Sequence, residues 1–235
     1  MAVAPKVLIK ELGGRFSKQL EIDTASPDPQ ALFAWFLTAV LFGAPIGETT
    51  VLRTSRRFAE AGVLSAQKVL ATGWDGLVRL LDEGGYVRYD FKTATKLLEI
   101  CGAFQREYGG DLNRLHASAT DPNDLETRLR ALGKGIGPVT AQIFLRELRG
   151  FWGHAGASLS PLALLAANRL GLTQAQEAEA ALKDLQRIWR RRLGSGAAFS
   201  DFETALLRLG KNFCRKGRCS ACPVAGNCSE PVAPQ

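Results

Sequence analysis

The 235-residue chain is predicted to be all-α, with about ten helices arranged in two lobes. Three observations lead there. Helix start signals recur along the chain, each a Ser, Thr or Asp, most of them followed by Pro or by an acidic or amide residue three positions on. Between them, apolar residues return at helical spacing. The two-residue alternation of half-buried strands is absent, as is any internal repeat. With 46% hydrophobic residues the chain can bury one large core or two small ones, and two lobes is the preferred division.

The first 27 residues hold a short possible helix at residues 7–12, then a loop closed by Pro27 and Pro29. Asp28 can cap a helix that has Pro29 at its first position, and the run from Ala31 to Phe42 is apolar on every side, which makes it a central, buried helix. A more polar helix is expected at 48–61. Ser65 can cap another through Ala71, and a short one covers 74–82 before Gly84 and Gly85 stop it. Asp90 can cap a long helix ending near Tyr108, in which Leu97, Ile100, Cys101 and Phe104 recur on one face. Cys101 therefore reads as a small buried apolar residue rather than a ligand. Asp121 with Pro122 opens a helix through Leu132; Gly133-Lys134-Gly135-Ile136-Gly137 interrupts it, and Pro138 starts the next, which runs through Leu148. Ser160 with Pro161 and Thr173 with Gln176 mark two further starts, and Ser200-x-x-Glu203 reads as a capping box.

That last helix leads into Cys214-RKGR-Cys219-SA-Cys222-PVAGN-Cys228, four of the five cysteines within fifteen residues. Four thiols this close, in a chain whose start lacks the apolar centre of a secretory signal, point to inorganic ions rather than disulfides. A single zinc ion is usually held by two short pairs separated by a dozen or more residues. Here the last three cysteines form one continuous wrap, which can reach in turn the separate iron corners of a cubane cluster. An iron–sulfur cluster is thus preferred over zinc, and both over a redox-active Cys-x-x-Cys.

The formal charge is +7, which favours a polyanionic partner. From Arg187 to Arg218 nine basic residues (Arg187, Arg190, Arg191, Arg192, Arg208, Lys211, Arg215, Lys216, Arg218) face two acids, an excess equal to the net charge of the whole chain. It surrounds the cysteine loop, where Arg215, Lys216 and Arg218 could neutralise phosphates. The plainer alternative is a solvated basic helix end at Arg190 to Arg192, favoured by the helix dipole. No apolar run is long enough to span a bilayer. An intracellular, nucleoid-associated protein working as a monomer, with no membrane partner, is the expectation.

Gly135-Ile136-Gly137 joins two helices as a tight hairpin. Glycines tolerate unusual backbone angles and leave amides uncovered, so these amides and the N-terminus of the helix from Pro138 offer an anion site for one DNA phosphate, with Ile136 pointing inward. Lys134, Gly135, Ile136, Gly137, Val139 and Thr140 are the candidate contacts. An ordinary helix–helix turn is the alternative. Among the aromatics, Trp35, Trp74, Trp152 and Trp189 fall on apolar faces and suit packing for the most part. Tyr86 and Tyr89, beside Arg88, are the better candidates to face a base. His116 and His154 belong to no acid or nucleophile motif.

The hairpin, then Phe144-Leu-Arg-Glu-Leu148, then Asn168-Arg169, then the four-cysteine loop resembles the endonuclease III-like branch of the helix-hairpin-helix DNA glycosylases, over roughly residues 29–228. The resemblance implies a six-helix barrel domain at 28–137 and a cluster domain built from 1–27 plus 138–235. It also implies a [4Fe-4S] cluster on Cys214, Cys219, Cys222 and Cys228, and double-stranded DNA in a cleft between the lobes with one nucleotide flipped out. A monovalent cation bridging hairpin and phosphate belongs to the same pattern.

Two family positions are not matched. The lysine that bifunctional members use as a Schiff-base nucleophile falls on Val139, and the catalytic aspartate, eight residues before the Asn-Arg pair, falls on Ser160, which its place before Pro161 already explains as a helix cap. No Asp or Glu lies between Arg149 and Arg169. Lys134, the one lysine near the hairpin, is a candidate relocated nucleophile, weighed against a solvent-facing or phosphate-binding role. The inserted glutamine of some members is replaced near Val40, and the first cysteine spacing is four residues where the family commonly has six. The reading is a base-excision-repair DNA N-glycosylase of atypical, weak or monofunctional chemistry. The alternatives are a catalytically silent DNA-binding relative and a zinc-stabilised binding protein.

Overall fold

A computed structural model describes residues 3–191 and 196–229. The protein is all-α: among the described residues there are twelve α-helices and two 3-10 turns, and the only β feature is an isolated bridge between Arg149 and Trp152. Arg192, counted with the basic residues above, lies outside the described residues. No described helix is long and apolar enough to cross a membrane.

The chain divides into two compact units, residues 17–157 and residues 1–16 with 158–235. The sequence reading put the boundaries at 27/28 and 137/138. They differ because α9 (Pro138–Leu148) belongs with α3 (Pro29–Leu41): the Trp35 indole N–H of α3 donates to the Phe144 carbonyl of α9 at 3.0 Å, and Phe36 meets Phe144 edge to face at 5.4 Å. Segment 17–24 is tied to the same helix, since Ser17 N–H donates to Glu147 Oε2 at 3.0 Å and Thr24 Oγ1 to the Glu147 carbonyl at 3.4 Å.

Within residues 17–157, α3 is capped by Asp28, whose carboxylate accepts from the Gln30 and Ala31 amides, and it is buried along nearly its whole length. Against it pack α4 (Glu48–Glu60), α7 (Leu112–Ala117) and α9; α5 (Ala66–Gly84) packs on α4 and on α6 (Asp90–Tyr108), and α8 (Pro122–Ala131) precedes the hairpin. The two helices expected at 65–71 and 74–82 are present as the two parts of α5, which meet at a kink at Gly73 with φ 68° and ψ 175°. That left-handed backbone is accessible to glycine at little steric cost. The helix expected to be capped by Asp90 has Tyr89 at its cap position, with Asp90 in the first turn. Helix α7 was not foreseen, although Asp111 caps it through the Asn113 amide at 2.9 Å.

The other unit gathers α1 (Pro5–Leu12) and α10 (Pro161–Arg169) on α12 (Phe199–Asn212), with α11 (Ala178–Arg191) on α10. Leu8, Ala163, Ala166, Leu185, Phe202, Leu206 and Leu209 form its core. Two expected caps are placed differently. Thr173 Oγ1 donates to Asp184 Oδ2 at 2.7 Å and accepts from the Ala175 amide at 3.1 Å, and α11 begins only at Ala178. At α12 the cap position is Ala198 and Ser200 lies within the helix. Asp201, not Glu203, reaches back to the Ala198 amide at 2.7 Å and also accepts from the Arg15 main-chain N–H and Nε at 2.9 and 3.2 Å.

Candidate nucleic-acid interface and cysteine cavity

The hairpin runs from α8 through residues 132–137 into α9. Its three glycines do not have left-handed backbone angles, so unusual dihedrals are not why they are glycine. Close approach is. A Cβ on Gly133 would lie 2.9 Å from Ile100 Cγ1, and one on Gly135 would lie 2.8 Å from Ile100 Cδ1 and 3.4 Å from Lys96 Cδ, so the loop rests on α6 with no room for a side chain. Ile136 is buried, as its apolar character requires, and its amide is held by the Gly133 carbonyl at 3.0 Å. Gly137 differs from Gly135, since nothing lies within 4 Å of where its Cβ would be.

Gly137 caps α9 without a side-chain hydrogen bond, and Pro138 fills the first helical position. Helix geometry then leaves the Val139 and Thr140 amides without intrahelical acceptors. Those two amides carry the positive end of the helix dipole beside an open glycine, an arrangement that suits one anionic oxygen. The Thr140 side chain itself is buried and turned towards Gly43, whose added Cβ would stand 2.9 Å from Thr140 Oγ1, so only its backbone could face a ligand. Lys134 is exposed, and Val139 is 64% exposed.

In the other unit α12 ends at Phe213 and the cysteine loop begins with a 3-10 turn, Cys214–Lys216, closed by the Arg218 N–H donating to the Phe213 carbonyl at 3.1 Å. Cys222 N–H donates to the Cys219 carbonyl and Cys228 N–H to the Ala225 carbonyl, both at 3.1 Å, which coils the loop inward. The Cys228 thiol and the Ser229 amide both donate to the Arg169 carbonyl at the end of α10. All four cysteines line one cavity of about 360 Å³, counting its open mouth, whose remaining walls are Leu170, Leu209, Phe213, Val224, Ala225 and Arg169. Arg215, Lys216 and Arg218 are exposed on the same loop.

Burial pushes the Cys214 thiol up to about 11, with further contributions from Cys222, Cys228 and Cys219 and an opposing one from Arg169. Burial likewise raises Cys222. As placed among the described residues, no three His, Cys, Asp or Glu side chains stand together for one metal ion. The donor set nonetheless fits a polynuclear group: four thiols converge on an apolar hollow, where thiolates would be unfavourable without cations to offset them. Cys101 is apart from them, buried in α6, with its thiol pushed up to about 12.

The remaining candidates are placed as follows. Ser160 Oγ accepts the Ala163 amide at 3.2 Å and caps α10, so the hydroxyl has a structural task. Tyr86 is fully buried and its hydroxyl donates to the Leu41 carbonyl, which removes it as a base-facing residue; burial raises its phenol. Tyr89 is half-buried, with the Arg88 guanidinium 5.8 Å from its ring centre. Trp35 and Trp152 are core residues, and Trp189 stacks on Phe202 at 6.0 Å. Trp74, expected in the core, is 40% exposed. His116 stacks on Trp152 at 4.5 Å and stands 5.9 Å from His154, bringing together the chain's only two histidines.

No family model matches the sequence, and no curated protein matches it either. Among solved structures, a thermostable thymine-DNA glycosylase superposes on the chain with a TM-score of 0.53 at 17% identity, covering 96% of this chain and 95% of that one. The two share a fold.

Proposed function

We propose that this chain is a DNA-binding base-excision-repair protein of the endonuclease III type, with a [4Fe-4S] cluster on Cys214, Cys219, Cys222 and Cys228. The observation that carries the reading is the fold it shares with a thymine-DNA glycosylase, which extends over nearly the whole chain. Support comes from the hairpin, whose uncovered amides suit a phosphate, with a monovalent cation bridging where charge requires it. Support also comes from the exposed Arg215, Lys216 and Arg218, which would neutralise duplex phosphates. When bound, the cluster would fix the fold of the loop that carries these cations.

On chemistry, the residues favour an altered enzyme. Val139 offers no amine, so the usual Schiff-base route to strand cleavage has no nucleophile there. Ser160 offers no carboxylate to stabilise an oxocarbenium-like state, and its oxygen already accepts from Ala163. The specific commitment of Ser160 to the α10 cap supports the second reading, a silent relative that recognises damaged or abasic duplex without excising a base.

The test incubates purified chain with duplexes carrying varied damaged bases or an abasic site, with borohydride trapping of amine intermediates. Excision without a trapped adduct is the result expected of a monofunctional glycosylase. Binding without excision supports the silent reading. An adduct lost in Lys134→Ala would make that lysine the nucleophile. Absence of binding to every duplex contradicts both readings.

A further inference from the structure

Arg169 is the last residue of α10, and its carbonyl oxygen accepts from the Cys228 thiol at 3.3 Å and from the Ser229 amide at 3.0 Å. As a thiol Cys228 can donate to that oxygen. As a thiolate ligand it has no proton to give, and sulfur and oxygen then face each other as two negative groups. The carbonyl also belongs to the last turn of α10, where carbonyls without intrahelical partners gather the negative end of the helix dipole. A cubane cluster held by four thiolates is itself net negative, and reduction adds one more negative charge. The end of α10 therefore opposes the cluster, and opposes its reduced form more.

The side chain of the same residue carries the opposite sign. Among the described residues that line the thiol cavity, Arg169 alone has a charged side chain; besides the cysteines, the walls are Leu170, Leu209, Phe213, Val224 and Ala225. Its charge reaches the sulfurs, since the Cys214 thiol is pushed up chiefly by burial and drawn back down by Arg169. Arg169 and the four cysteines are half-buried, so this charge acts through a medium that screens less than water does. Arg215, Lys216 and Arg218 of the cysteine loop are exposed, and salt and water screen them. In an apolar hollow with one cation on its wall, that cation is the main lever the protein holds over the charge state of what the thiolates bind.

We infer that the Arg169 side chain sets the reduction potential of the bound cluster, offsetting the negative end of α10 and favouring the reduced state. This rests on the proposed cluster and concerns its charge state, not the contact with DNA.

The test uses the full chain reconstituted anaerobically with iron and sulfide. Electrons are supplied by dithionite through redox mediators, and the reduced fraction is read from visible absorption and electron paramagnetic resonance. At a fixed ambient potential Arg169→Gln should lower the ratio of reduced to oxidised cluster about tenfold, a shift of about 59 mV to lower potential for one electron. Arg169→Lys, which keeps the charge, should stay within about threefold of the wild type. Arg187→Gln removes the same charge from an exposed position on α11 and should change the ratio by less than about twofold. A wild-type ratio in Arg169→Gln, an equal fall in Arg169→Lys, or as large a fall in Arg187→Gln overturns the inference. Should Arg169→Gln hold no iron, retention of iron by Arg169→Lys supports the role of the charge. Loss of iron from both shows that the loop needs the shape of the arginine and not its charge, which overturns it. A wild-type chain that takes up zinc or no metal in place of iron fails the cluster reading, and the inference with it.

Discussion

The hairpin and the cysteine loop are the two elements proposed to contact DNA, and they are organised by different means. The hairpin is held by hydrocarbon: Gly133 and Gly135 lie against Ile100, Ile136 is buried, and α9 is pinned to α3 through Trp35 and Phe144. The cysteine loop has short 3-10 turns, four half-buried thiols and an apolar hollow. Such a loop depends on what the thiols bind, because a few main-chain hydrogen bonds do not offset the entropy of ordering fifteen residues. If the proposed cluster is bound, one element is set by packing and the other by ligation, so substitutions in the two should fail differently.

The largest expected effect lies in the loop. Cys214→Ala removes one of four thiols, and the chain should lose its iron and on the order of 5 kcal/mol or more of stability in its own unit. Metal analysis alongside thermal unfolding checks this. An unchanged iron content would detach Cys214 from the cavity's function.

Next comes the contrast within the hairpin. Gly135→Val drives a side chain into Ile100 and Lys96 and should cost about 1–3 kcal/mol, with DNA affinity falling as the loop lifts. Gly137→Leu enters open space at an ordinary φ of −87°, so stability should change by less than about 1 kcal/mol while the bulk over the amides lowers affinity about tenfold. Urea melts paired with binding isotherms separate the two. If both variants act only through stability, the amides are not a phosphate site.

A smaller effect is expected from Arg215→Ala, Lys216→Ala and Arg218→Ala together. All three side chains are exposed, so folding should be untouched, and the slope of log affinity against log salt should fall by up to about 2.7 if each meets a phosphate. An unchanged slope would remove the loop from the interface.

The smallest concerns His116. Burial, and secondarily His154, lowers its pKa from the ordinary 6.5. Above 6.5 the ring is neutral in both folded and unfolded chains. As pH falls through 6.5 the unfolded chain takes up the proton first, so stability is lost progressively down to the depressed folded value. His116→Phe, which keeps the stack on Trp152, should leave the melting temperature at pH 7.5 nearly unchanged and flatten its decline between pH 7 and 5. A decline as steep as that of the wild type would place the titrating group elsewhere.

The helical class was legible in the sequence because cap chemistry is local. Asp28, Ser65, Asp121 and Ser160 each cap through an amide two or three residues on, and each can be read from a short window. The division of α5 into a part ending near Ala71 and a part starting at Trp74 was legible as well, although the kink residue, Gly73, was not singled out. Properties that depend on distant partners were not. Whether Tyr86 faces a base or the Leu41 carbonyl, and whether Trp74 is covered, is decided by how α4, α5 and α6 pack. The reason for Gly133 and Gly135 was also hidden, since their tight contact is with Ile100, more than thirty residues away. At α12 the cap falls on Ala198 rather than Ser200, so the acid three residues on that reaches back is Asp201 rather than Glu203.

Equilibrium binding of an abasic duplex to the cluster-loaded chain, measured from 50 to 300 mM salt, bears most directly on the claim that the hairpin and the cysteine loop each contact DNA. The account predicts that log affinity falls linearly with log salt, and that Gly137→Leu and the triple basic-to-alanine variant each weaken it. Binding that is absent at 50 mM salt, or that ignores both salt and these variants, would contradict it.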